Sequence, residues 1–139
     1  MQFSTATLAA ILSASTVFAA PVAIPNWTLT SVKRVCDKAD TSCTWSFGIN
    51  PNNGAAATAV KYVIKGSPAS QTDLTVPTTF GAYTVTAGWS GQFGAGNGFT
   101  TLAVANNAKH QIAWPAYTDA ELASGKAVTP DKSWTVAQL

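Results

Sequence analysis

Cys43, Trp45, Phe47 and Ile49 alternate with Thr44, Ser46 and Gly48. A period of two is what a β-strand with one buried face imposes, because successive side chains point to opposite sides. The same period recurs along the chain. Val60, Tyr62 and Ile64 alternate with Lys61 and Lys65, and Tyr83, Val85, Ala87 and Trp89 alternate with Thr84 and Thr86. Leu102 with Val104, then His110, Ile112 and Trp114, bracket Asn106-Asn107, which has the composition of a hairpin turn. Trp27 to Val35 and Ser133 to Val136 supply a first and a last strand, and Asn50-Pro51-Asn52-Asn53-Gly54 and Gly66-Ser67-Pro68 punctuate the chain where turns belong. Seven to eight short strands at regular spacing predict an all-β fold, an antiparallel β-sandwich or flattened barrel.

One segment departs from this pattern. Thr118 is followed three residues later by Glu121, the signature of a capping box. Tyr117 and Leu122 stand where a hydrophobic staple would clip the entry turn, and Gly125 stands where a C-terminal cap belongs. One short helix is expected over Asp119 to Ser124. Its two acids complement the helix dipole, which accounts for them better than a catalytic carboxylate pair does.

The N-terminus reads as a targeting segment. Residues 1–19 carry no Asp, Glu, Lys or Arg, Leu8 to Phe18 forms an apolar h-region, and Val17-Phe18-Ala19 suits signal peptidase. Cleavage after Ala19 leaves residues 20–139 as a single secreted β domain. Ser13, Ser15 and Thr16 interrupt the apolar stretch, so it falls short of the roughly 20 apolar residues that a membrane span needs. No later segment could span a bilayer. Secretion favours oxidation of the only two cysteines, Cys36 and Cys43, across the polar loop Asp37 to Ser42. A metal site would need further soft ligands, and only His110 is on offer. No metal or other cofactor is expected. Asn26-Trp27-Thr28 is an acceptor pattern for N-glycosylation.

Charge excludes several partners. Charged residues make up 10% of the chain and the formal net charge is +2, too little to steer it onto nucleic acid or an anionic membrane. There is also no basic run that could form such a patch.

The most unusual stretch runs from Gly88 to Phe99, where five glycines are interleaved with Trp89, Phe93 and Phe99. No lysine follows and no helix opens after it, so it is not a phosphate-binding loop. It reads either as a compact surface loop pinned by its own aromatics or as a recognition loop. In the second reading Trp89, Ser90, Gln92, Phe93, Asn97 and Phe99 are the contact candidates. Gly88-Trp89-Ser90-Gly91 resembles a nucleophile elbow only in part, since Gln92 replaces the last glycine. His110, the sole histidine, reads as structural on the face of Ile112 and Trp114. No catalytic residues are assigned. Trp45, Trp89 and Trp114 fall on apolar strand faces, where burial explains them. Trp27 and Trp134 remain open as stacking platforms for sugar rings.

Several segments, in order, resemble a known group. They are Arg34-Val35-Cys36, Cys43-Thr44-Trp45-Ser46-Phe47, Gly88 to Gly94, Gly98-Phe99-Thr100-Thr101-Leu102, Pro115 to Asp119 and Val128-Thr129-Pro130-Asp131. Together they resemble the small secreted proteins of filamentous fungi that include hypersensitive-response-inducing elicitors of plants. The resemblance implies a secreted, non-enzymatic β protein that plants perceive, with local cell death and defence as the outcome. Its partner would then be a plant cell-surface or apoplastic protein. A module that binds cell-wall polysaccharide and a small secreted hydrolase using Ser90 and His110 are the alternative readings.

Overall fold

A computed structural model describes residues 23–139. The expected signal segment, residues 1–19, lies outside the described residues. The described residues form two antiparallel sheets, so the architecture is a sandwich rather than a closed barrel. In chain order the strands are β1 (Trp27–Cys36), β2 (Ser42–Asn50), β3 (Thr58–Lys65), β4 (Leu74–Phe80), β5 (Tyr83–Ser90), β6 (Phe99–Asn106), β7 (Gln111–Ala113), β8 (Ala116–Thr118), β9 (Lys132–Trp134) and β10 (Ala137–Gln138). A 3-10 turn spans Ala69–Gln71 and one helix, α1, spans Asp119–Leu122. The first sheet is ordered β3-β2-β1-β9 and the second β10-β7-β6-β5-β4, with β8 also on β6. Among the described residues, no helix is long and apolar enough to cross a membrane.

Alternation sets the core. Trp45, Phe47, Ile49, Val60, Tyr62 and Ile64 from one sheet face Tyr83, Val85, Ala87, Leu102, Val104 and Ala113 from the other, all buried. Fully burying each large apolar side chain stabilises the fold by about 1.5–3 kcal/mol. Trp27 joins them edge-on to Tyr83, with ring centroids 5.2 Å apart.

The β1–β2 ladder shifts register between Thr30 and Lys33, which marks a bulge. Ser31 takes a positive φ there, and its N–H donates to Asp131 Oδ1 at 2.9 Å. The extra residue resets the alternation, so Val32 and Arg34 turn inward while Lys33 turns out. At the end of the hairpin Cys36 pairs with Cys43, and the two form the disulfide.

The helix follows its sequence signals. Thr118 Oγ1 accepts from Glu121 N at 3.1 Å, and Glu121 Oε2 accepts from Thr118 N at 2.8 Å. Tyr117 and Leu122 are buried beside the box.

Two expectations need correction. Strand β4 does not show in the pattern because Pro77 interrupts it. The strand lies at a sheet edge, where a missing N–H is tolerated. The turn after β6 is the second. It spans four residues, Asn107 to His110, with His110 at φ 53°. His110 is therefore an exposed turn residue, and the alternation after it runs opposite to expectation. Ala113 is buried while Trp114 is 52% exposed.

Candidate recognition site

The β5–β6 connection is held from below by a polar node. Trp89 ends the inward row of β5, and its indole Nε1 donates to Asp119 Oδ2 at 2.8 Å. Asp119 N donates to Gly98 O at 2.9 Å, tying the start of α1 to the loop. The other carboxylate oxygen accepts from Arg34 Nη1 at 2.9 Å. Arg34 is only 7% exposed, also donates to Ser70 O at 3.1 Å, and lies 5.8 Å from the centre of the Trp45 ring. Gly91 and Gly98 are required by this packing. A Cβ at either would stand 2.5 Å or 2.7 Å from the Trp89 ring, well inside van der Waals contact.

Above the node, two turns shape the loop: Gly94 N donates to Gly91 O at 3.0 Å and Asn97 N to Gly94 O at 3.1 Å. Asn97 Nδ2 reaches Phe93 O at 3.3 Å. Phe93 is thereby held outward, 67% exposed, with its ring stacked on Phe99 at 5.8 Å. Beneath it runs a groove of 630 Å³ whose lining includes Phe93, Asn97, Phe99, Tyr117, Glu121 and Lys132. Lys132 closes one wall by an ion pair with Glu121 and stands 5.3 Å from the centre of the Tyr117 ring. Burial pushes the Tyr117 hydroxyl up to about 12, so it stays protonated. Burial also acts to raise Glu121, but the hydrogen bonds from Lys132 and Thr118 outweigh it and hold the carboxyl below its ordinary value.

The loop residues singled out by sequence divide into two groups. Phe93, Asn97 and Phe99 line the groove. Trp89 braces the loop, the Ser90 hydroxyl accepts from Gln92 N at 3.3 Å, and the Gln92 side chain is exposed away from the groove lining. Asn26 is exposed, and its carbonyl accepts from Asn52 Nδ2 at 2.7 Å. No local pattern marks Arg34 as buried, or Asp119 as doing more than complementing the dipole of α1. A basic residue facing inward on β1 becomes visible only once the bulge is known.

Other candidates separate. Ser90 pairs with Phe99 at one end of the β5–β6 ladder, while Asn106, beside the His110 turn, pairs with Tyr83 at the other. Seven residues of strand, roughly 24 Å, thus stand between them, so they cannot form a nucleophile–base pair. The sulfurs of Cys36 and Cys43 lie near Asp40 but are joined to each other, leaving no thiolate to bind a metal. Trp27 is 2% exposed and Trp134 packs edge-on against Tyr117, so neither forms an open sugar-stacking platform.

The profile of the Effector TSP1 family matches residues 28–139. The chain belongs to that family. A relative named Effector TSP1 from Hypocrea virens (strain Gv29-8 / FGSC 10586) is 45% identical over 147 residues, covering 100% of this chain and 99% of the relative. The chain is thus a member of a family of fungal effectors. The node residues Arg34, Trp89 and Asp119 and the groove residues Phe93, Phe99, Tyr117, Glu121 and Lys132 all lie within the matched region.

Proposed function

We propose that this protein is secreted and perceived by plants, inducing hypersensitive cell death and defence, and that it acts by binding rather than catalysis. Its partner is a plant cell-surface or apoplastic protein that seats an apolar side chain in the groove beneath Phe93. Membership of an effector family supports the role, and the disulfide fits an extracellular setting. The observation that carries the site is Phe93 itself. A large aromatic ring held two-thirds exposed by a braced loop, over an apolar groove with a charged rim, is the arrangement of an interface anchor.

The test is infiltration of purified, oxidised mature protein into leaves, beside Phe93→Ser and a reduced, heat-unfolded sample. Cell death from the wild type alone is expected. Full activity of a folded Phe93→Ser variant would overturn the site, and equal activity of the unfolded sample would show that a linear peptide is perceived.

A further inference from the structure

The sequence contains no basic run, yet strand pairing gathers one. Lys33 on β1 pairs with Ser46 on β2, which pairs with Lys61 on β3. All three point away from the core. The two lysines stand two strand spacings apart, about 10 Å. Lys65 points to the same side four residues after Lys61, about 13 Å further along β3. The two ion pairs among the described residues use Arg34 and Lys132, so none of these three lysines is neutralised by a neighbour.

Between Lys33 and Lys61 runs a shallow trough of 420 Å³. Gly48 and Ala59 line it together with Thr30, Ser31 and Ser46, and the Thr30 hydroxyl lies over Gly48, 2.5 Å from where a Cβ would stand. No acid lies among its lining residues. Asp131 stands at the β1 rim, where its carboxylate is engaged by Ser31 N. Asp37 and Asp40 belong to the hairpin end and are held by Thr41 and Ser70. Val35 and Val63, half-exposed on either side of Thr44, extend an apolar strip beside the lysine row.

We propose that this face binds a carboxylated polysaccharide, a polyuronate, with sugar rings laid in the trough and carboxylates set against Lys33 and Lys61. A sugar ring has apolar C–H faces and hydroxyl edges. Ala59 and the lining Ser and Thr residues offer both complements, and the lysines supply the charge complementarity. A duplex nucleic acid calls for more cations and for arginine forks. A bilayer calls for large apolar or aromatic side chains to insert, and on this face only Val35 and Val63, two short side chains, are exposed. Each exposed lysine–carboxylate contact is weak, so binding rests on a repeating ligand that engages several cations at once. The trough shares no lining residue with the groove beneath Phe93. The two proposals therefore succeed or fail separately.

The probe is polygalacturonate, compared with its fully methyl-esterified form and with dextran, in affinity electrophoresis of the full mature protein. Retention on polygalacturonate alone is expected at low salt, falling at least tenfold in 0.5 M sodium chloride. Lys33→Gln with Lys61→Gln should lower affinity at least tenfold, and the two Lys→Arg changes should restore it. Ala59→Trp, which fills the trough without changing charge, should also abolish retention, whereas Lys109→Gln with Lys126→Gln should leave it intact. Circular dichroism establishes that each variant is folded. Equal retention on the methyl ester, or equal loss with the Lys109 and Lys126 changes, would overturn the proposal. So would an absence of retention, or equally tight, lysine-dependent binding to duplex DNA or anionic vesicles.

Discussion

The β1–β2 and β5–β6 connections both join neighbouring antiparallel strands, yet they are secured by opposite means. The first is closed from within. Cys36–Cys43 seals its base, and Asp37 takes hydrogen bonds from Thr41 and Ser42. The second holds no covalent link and is braced through Trp89 at its base by two residues distant in sequence, Asp119 and Arg34. A local staple uses up the loop it closes. A node beneath a loop leaves the tip free, and there the chain places Phe93, the most exposed phenylalanine among the described residues. The two regions also meet, since Asp40 accepts from Ser70 N at 2.8 Å and Ser70 O accepts from Arg34.

The largest effect is expected where the node breaks. Asp119→Ala leaves Arg34 buried without its carboxylate, which should cost about 3 kcal/mol, the low end for such a loss because Asp119 is 27% exposed. Urea unfolding would measure it, and amide exchange should quicken through residues 91–98. A loss under about 1 kcal/mol with unchanged exchange would mean that the loop orders itself. Replacing both cysteines by serine should cost about 2.5 kcal/mol by the chain-entropy account of so short a ring. Exchange in the β5–β6 loop should then stay slow. If it quickened as well, the shared Ser70 contacts would be coupling the two regions.

Most of the fold was legible because strands β2, β3, β5 and β6 each bury one face, and a half-buried strand must alternate. The capping box and the disulfide were equally legible, since both are local. What escaped was whatever depends on register. The bulge at Ser31 exchanges the inward and outward rows of β1, burying Arg34 and exposing Lys33. The four-residue turn ending at His110 reverses the expected faces of Ile112, Ala113 and Trp114, and a slip of one residue flips every side chain that follows. The candidate site was half legible for the same reason. Glycines and aromatics marked the loop, but the partners of Trp89 come from β1 and α1, far away in sequence.

Trp89→Phe tests the brace more gently. It keeps an aromatic ring at the position but removes the outer indole atoms that face Gly91 and Gly98 together with the N–H donor to Asp119, and should cost about 2 kcal/mol, within the range for a hydrogen bond to a charged group. Acid should loosen the two regions in different windows. The hydrogen bond from the Thr41 hydroxyl leads the causes that lower Asp37, whereas Glu121 is lowered by Lys132 and Thr118 against the pull of burial. A carboxyl lowered in the folded state contributes stability that is complete above its unfolded value and is lost as pH falls through its folded value. For Glu121 the decline begins below about 4.5, and for Asp37 below about 3.8. Unfolding midpoints followed from pH 6 to pH 3 should therefore fall, and Glu121→Gln should remove the earlier part of that fall. An unchanged slope in Glu121→Gln would show that its pairing with Lys132 adds nothing to stability.

The smallest change in stability is expected at the residue assigned the largest role in recognition. Phe93 stacks on Phe99 but is 67% exposed, and its backbone is held by the turn bonds and by Asn97 rather than by its ring. Phe93→Ser should thus alter unfolding free energy by no more than about 0.5 kcal/mol, as surface substitutions do. A loss above about 1.5 kcal/mol would place the ring among the supports of the loop. The contrast between a braced base and a free tip would then collapse, because Phe93 would be exposed only as the cost of closing the loop upon itself. A neutral result gives the contrast its meaning: a chain that leaves an aromatic ring in water without gaining stability from it has kept that ring for something outside the fold.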